Sequence, residues 1–307
     1  MSTEYAIEVN NLTKEYQDFK LNNISFQIPK GSIVGFVGEN GAGKSTTMKA
    51  ILGLMPIESG EIKILGNEVG SGGDESWREQ IGVVFDECNY PQELRVKEIW
   101  KILKQIYKTW DDAKFMNCLT AFQLPLDKKI KDLSKGMKMK LSIAAALGHD
   151  SRVLILDEAT SGLDPVIRNE ILDIFQEYTL DEEKAVFLSS HITSDIEKIA
   201  DYIMFIHKGQ LLFYENKDDL IYNYGMVKCS QKQAERIPEE IIVGMQRHAF
   251  GVNVLVKNKN LLLENGFEDT DEEETQPVID KVSIEDILLY IVKSRETMKN
   301  TTEVKEA

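Results

Sequence analysis

The sequence predicts an α/β protein with central strands buried on both faces, followed by a smaller α/β unit, and three observations carry that expectation. First, a short apolar run, Ile33-Val34-Gly35-Phe36-Val37, leads into a glycine loop and then a helical segment. Second, four consecutive aliphatic residues, Val153-Leu154-Ile155-Leu156, exit into the paired acids Asp157-Glu158, and continuous apolar runs of this kind mark strands covered on both sides. Third, the composition changes near Tyr224-Gly225, which divides the 307 residues into 1–222 and 223–307. That length exceeds one typical domain and fits a large unit with an appendage.

The glycine loop carries the chemistry. Gly38-Glu39-Asn40-Gly41-Ala42-Gly43-Lys44-Ser45 matches G-x-x-x-x-G-K-[ST] at every fixed position, and Thr46 follows. Small residues let backbone N–H groups close around phosphate oxygens, and the helix that begins there points its positive dipole end at them. Lys44 adds a full charge for the β- and γ-phosphates, and the Ser45 hydroxyl suits a magnesium ion.

Composition excludes other classes. A formal net charge of −15 argues against a nucleic-acid binder, which normally carries a basic footprint. No apolar run is long enough to span a bilayer, and Met1-Ser2-Thr3-Glu4-Tyr5 lacks a signal-peptide core. Cys88, Cys118 and Cys229 are scattered and outside any C-x-x-C spacing, as reduced thiols of a cytosolic protein are. No repeat of solenoid period is present.

In chain order, residues 5–9 and 24–28 alternate as half-buried strands do, with Tyr16 between them. A helix over 46–52 is followed by strands at 61–65 and 81–85, with the flexible loop Gly70-Ser71-Gly72-Gly73 between those strands. Residues 96–124 read as helical, with Ile99, Leu103 and Ile106 on one face and Trp100 and Trp110 as packing residues. Ser134 is the expected N-cap of a helix running to Leu147. Acids at the exit of a central strand, as at Asp157-Glu158, stand where open α/β sheets bind ligands. Asp164-Pro165 opens the next helix. A strand at 185–189 leads to Ser190-His191, and Ser194 with Glu197 has the spacing of a capping box. Residues 202–207 and 210–214 form a hairpin. In the second unit, 226–229 and 252–256 read as strands around a short helix, 268–274 as a solvated acidic loop, and 283–293 as a helix. Its stripe of Ile284, Ile287, Leu288 and Ile291 suits dimerisation, and the tail beyond Thr297 is expected to fray.

Taken together and in order, these motifs resemble the ATP-binding subunits of ABC transporters over residues 4–222. The resemblance implies a RecA-like core, an antiparallel β subdomain, a helical subdomain at about 87–150, and a small C-terminal α/β accessory domain. It assigns Tyr16 to stacking on adenine and Gly38 through Thr46, including Asn40, Gly41, Ala42 and Gly43, to the Walker A loop. Ser134 and Gly136 match the signature motif, which caps the γ-phosphate held by an opposite subunit. Asp157 matches the Walker B acid that holds magnesium, and Glu158 the residue that polarises the attacking water. Asp164 belongs to the loop crossing a dimer interface, and His191 matches the switch histidine. Lys44, Glu158 and His191 are then the catalytic set, with Ser45, Asp86 and Asp157 around Mg²⁺.

Three departures from the family pattern stand out. Asp86, beside Glu87, occupies a position that usually holds Gln. The signature reads Leu133-Ser134-Lys135-Gly136-Met137, and Ala159 replaces the usual Pro. The Ser-Lys-Gly-Met-Lys form and the C-terminal extension resemble the CcmA-like exporter ATPases, which include subunits for drugs, bacteriocins and cytotoxic amphipathic peptides such as phenol-soluble modulins. The implied function is ATP hydrolysis driving export of a drug or peptide through a separate permease. The implied partners are that integral membrane permease and a second, identical or different, nucleotide-binding subunit, with no nucleic acid. Its place is then the cytoplasmic face of the cell membrane, with Trp100 and Tyr90 as candidate permease contacts. The alternatives are a soluble ABC ATPase acting on ribosomes or DNA, and an importer ATPase.

Overall fold

The computed structural model describes residues 4–70, 72, 75–264, 267 and 276–306, with the side chains of 264 and 296–306 left aside. It divides into two compact units, Met1–Tyr214 and Glu215–Ala307. The division lies a few residues before the boundary expected after 222, so helix Lys217–Asn223 goes with the second unit.

Two sheets build the first unit. Strands β1 (Tyr5–Glu15) and β2 (Lys20–Pro29) are longer than the sequence pattern indicates and pair antiparallel with register shifts along their length. Strand β3 (Ile33–Val37) feeds the glycine loop and helix α1 (Lys44–Ile51). Strands β4 (Ser59–Ile64) and β5 (Asn67–Glu68) complete a four-stranded sheet in the order β2-β1-β4-β5. Of the loop read at 70–73, only residues 70 and 72 are described; 71 and 73 lie outside the described residues.

The larger sheet uses β6 (Ile81–Val84), β7 (Val153–Asp157), β8 (Ala185–Ser190), β9 (Tyr202–His207) and β10 (Gln210–Asn216) together with β3. Its order is β10-β9-β3-β8-β7-β6. Every residue of β3, β7 and β8 is buried, which is why those segments read as unbroken apolar runs. Phe26, Phe36 and Phe187 knit the two sheets together with ring centroids 5.4–6.5 Å apart. Parallel pairing then aligns the strand ends: Val37 with Ser190, Asp157 with Ser189, and Val84 with Leu156. The segments that leave these strands therefore emerge side by side at one edge.

The helical part holds α2 (Val96–Ile106), α3 (Asp112–Ala121) and α4 (Lys135–Leu147). Where one continuous helical stretch was expected, the chain breaks after Ile106, and Asp111 caps α3 by accepting from Lys114 N. Ile99 and Leu103 are buried, but Ile106, at the broken end, is 60% exposed. Trp100 and Trp110 both donate their indole N–H to Asp112 Oδ1, at 2.8 and 3.0 Å, across the break. Helix α5 (Pro165–Tyr178) starts as expected, with Asp164 as its cap. Helix α6 (Thr193–Ile199) corrects the sequence reading: its N-cap is Ile192 with no side-chain cap bond, and Ser194 lies inside the helix instead of capping it.

The second unit packs helices on an antiparallel sheet. After α7 (Lys217–Asn223) come β11 (Gly225–Cys229), α8 (Gln231–Ala234), β12 (Ile242–His248), β13 (Gly251–Val256), α9 (Lys259–Glu264), β14 (Val278–Asp280) and α10 (Ile284–Glu306). The sheet order is β12-β13-β11-β14. Helix α10 runs on to Glu306 where a frayed tail was expected. Its stripe is used within the unit: Ile284 and Ile287 are fully buried and Leu288 is 8% exposed. That burial overturns the expectation of a dimerisation face there. The acidic run 268–274 lies outside the described residues. Among the described residues, no helix is long and apolar enough to cross a membrane.

Candidate active site

The glycine loop is shaped by its own neighbours. Gly43, the N-cap of α1, adopts φ 115°, a conformation that side chains rarely take. A Cβ there would lie 2.6 Å from Leu21 Cδ2 and 2.8 Å from Phe19 Cζ, and one on Gly38 would lie 2.5 Å from Ile206 O. The loop curls around Lys44, which is 6% exposed. Its ammonium donates to the carbonyls of Gly38 at 2.7 Å and Glu39 at 3.2 Å.

Across the strand edge, Glu158 follows β7 directly. Its φ of 53° is left-handed for a residue with a side chain, a conformation that costs about 1–2 kcal/mol. Strain of this order persists where the surroundings enforce it, often at working sites. Ser189 anchors the peptide that enters this residue: Glu158 N donates to Ser189 O at 3.2 Å and to its Oγ at 3.1 Å. The carboxylate is thereby held between two basic side chains. Glu158 Oε1 lies 3.5 Å from Lys44 Nζ, and Oε2 lies 2.5 Å from His191 Nδ1. Because the carboxylate accepts, Nδ1 donates to it, and Nε2 is the ring nitrogen that remains for a ligand.

Asp157 is 3% exposed, and its Oδ1 accepts from Ser189 Oγ at 2.6 Å. Ser189 thus ties both acids, a role the sequence reading missed. The available signal was a Ser-Ser pair closing an otherwise apolar strand, whose Ser189 pairs in register with Asp157.

An open cleft of about 1220 Å³ gathers most of the expected residues. Tyr16, Asn40, Gly41, Gly43, Lys44, Ser45, Thr46, Asp86, Glu158 and His191 line it, as do Glu87, Cys88, Lys135 of the signature segment, and Lys138, which the sequence reading did not single out. Gly38, Ala42 and Asp157 lie buried beneath the surface of the loop and strand edge. Ser134, Gly136 and Asp164 are not part of the lining. Ser134 Oγ accepts from Met137 N and caps α4, while Asp164 Oδ1 accepts from Val166 N and Ile167 N and caps α5. A Cβ on Gly136 would lie 3.6 Å from both Leu163 and Ile167, so these two helix starts adjoin.

Among the described residues, no group of three or more His, Cys, Asp or Glu forms a metal cage. Ser45 and Asp86 face the cleft, and Asp157 lies beneath with one oxygen committed to Ser189. This sparse donor set suits a hard cation that takes most of its oxygens from phosphate and water, as magnesium does.

Comparison with known proteins agrees with the geometry. The ABC transporter family model matches residues 21–161. The bacitracin transport ATP-binding protein BcrA of Enterococcus faecalis is 34% identical over 223 residues, covering 72% of each chain. The lantibiotic transport ATP-binding protein SrtF of Streptococcus pyogenes is 33% identical over 219 residues, covering 69% of this chain and 91% of SrtF. A solved ATP-binding subunit of an ABC transporter superposes with a TM-score of 0.65 at 29% identity, covering 71% of this chain and 92% of that one. The chain belongs to the ABC transporter family, as an ATP-binding, ATP-hydrolysing subunit.

Proposed function

We propose that this subunit powers an exporter for an antimicrobial peptide or drug, acting through a separate membrane permease. The observation that carries the catalytic part is the Lys44–Glu158–His191 contact at the mouth of the glycine loop. ATP enters the cleft with its base against Tyr16 and its phosphates on the loop amides and Lys44. Phosphoryl transfer asks a protein mainly for positioning and charge neutralisation. Glu158 orients the attacking water and accepts its proton. His191, held through Nδ1, donates Nε2–H to the γ-phosphate, a contact that needs both ring nitrogens protonated. Lys44, already desolvated, moves from its carbonyl partners to phosphate oxygens and neutralises developing charge.

Ser45, Asp86 and Asp157 are the residues that would hold Mg²⁺, which when bound draws charge from the phosphate oxygens. Glu87 stands beside Asp86 in the same wall. Ser134, Gly136 and Asp164 lie outside the cleft, on the face proposed to close over the nucleotide of a second subunit. The names of the relatives, for bacitracin and lantibiotic transport, support an export role for the whole assembly. They favour export over the soluble and importer alternatives. The permease would hold the subunit at the inner face of the membrane.

The test is to purify the tagged full chain from native membranes and identify what accompanies it. A stoichiometric integral membrane protein is expected. Recovery with ribosomes, or with a solute-binding protein and importer permease, would overturn the reading.

A further inference from the structure

At the end of β1 a side chain continues the sheet where the neighbouring strand stops. Strand β1 pairs with β4 as far as Thr13 opposite Ser59. One further backbone bond runs from Glu58 N to Thr13 O at 3.0 Å. The next donor on β1 is met by a carboxylate. Glu58 Oε2 accepts from Glu15 N at 2.9 Å, and Oε1 accepts from Lys14 Nζ at 2.9 Å.

These two residues directly precede Tyr16. The Lys14 ammonium sits 5.3 Å from the Tyr16 ring centroid, close enough for a cation–π contact. The Tyr16 hydroxyl reaches Met55 Sδ at 3.7 Å, and Tyr16 N donates to Phe19 O at 2.8 Å. Met55 and Glu58 both belong to the segment that leaves α1, whose first turn follows directly on the glycine loop. Phe19, for its part, rests where a Cβ on Gly43 would be. One helix therefore carries the phosphate loop at its start and the supports of Tyr16 just past its end.

We propose that Glu58 is a positioning residue for the nucleobase, fixing the Tyr16 ring over the cleft by bridging Lys14 and Glu15. The proposal rests on the reading of Tyr16 as the base platform. Tyr16 is 45% exposed at a hairpin tip, where an unsupported ring would have to be ordered by the ligand at a cost in affinity. Glu58 supplies that order in advance. Its carboxyl is held below the usual range, first by the bond from Lys14 and then by that from Glu15 N–H. A depressed carboxyl keeps its partners above its ordinary titration range and loses them as pH falls through the lowered value.

Titration calorimetry of the full chain with ATP and with inorganic triphosphate, which lacks a base, separates this role from general stability. Glu58→Ala is expected to weaken ATP by about threefold to tenfold and leave triphosphate unchanged. Glu58→Gln, which keeps an acceptor for Glu15 N–H, should recover part of the loss. Equal weakening of both ligands would overturn the proposal. So would unchanged ATP affinity in both Glu58 variants while Tyr16→Ala weakens ATP, a result that leaves the base platform standing. Unchanged ATP affinity in Tyr16→Ala would remove the platform and the proposal together.

Discussion

Gly43 and Gly136 both stand at the start of a helix, yet for different reasons. Gly43 is required by its own chain, through its left-handed φ and the side chains of Leu21 and Phe19 packed where a Cβ would be. Gly136 has no left-handed φ, and the nearest atoms to a built Cβ are at ordinary contact distance. Glycine within a helix costs about 1 kcal/mol relative to alanine, and among the described residues no contact requires it at Gly136. The cleft is thus explained from within. On the proposal above, the face bearing Ser134, Gly136 and Asp164 is the one that meets a second subunit.

Substitutions on the two sides should separate the comparison. The largest effect on binding is expected inside the cleft: Lys44→Ala removes the buried ammonium and should weaken ATP roughly 10- to 100-fold by calorimetry. An unchanged affinity would break the internal half of the account. Gly136→Ala should have the opposite signature. The methyl fits, so thermal melting should show equal or higher stability and ATP affinity should stay within about twofold. Turnover in the assembled transporter should still fall by about tenfold, a deficit of roughly 1.4 kcal/mol in the transition state. Full turnover in Gly136→Ala would mean that the outer face does no chemistry.

The parallel core was legible because burial on both faces writes itself as unbroken apolar runs, and strand ends inherit their neighbours from register. Lys44, Glu158 and His191 each stand just past such a strand end, and the family resemblance joins them into one catalytic set. Ser189 and Glu58 were not legible in this way. Ser189 acts through a cross-strand hydrogen bond, and Glu58 through a side chain standing in for a missing strand residue; neither leaves a periodic trace. In the second unit, β12 exposes its last four residues and β14 is three residues long, too little alternation to announce a strand. The break between α2 and α3 was hidden because both helices keep apolar spacing, and only the contacts of Asp111 and Asp112 fix where one ends. The α10 stripe was read correctly as apolar, but sequence does not say which surface covers it, and its own unit does.

The central claim is that the carboxylate between Lys44 and His191 does the chemistry without being needed for binding. Glu158→Gln keeps the shape and removes the base, so parallel measurement of ATP affinity and steady-state phosphate release tests it directly. The account predicts affinity within about threefold of the unmodified chain and turnover reduced by about 10²- to 10⁴-fold. Undiminished phosphate release from Glu158→Gln would contradict it.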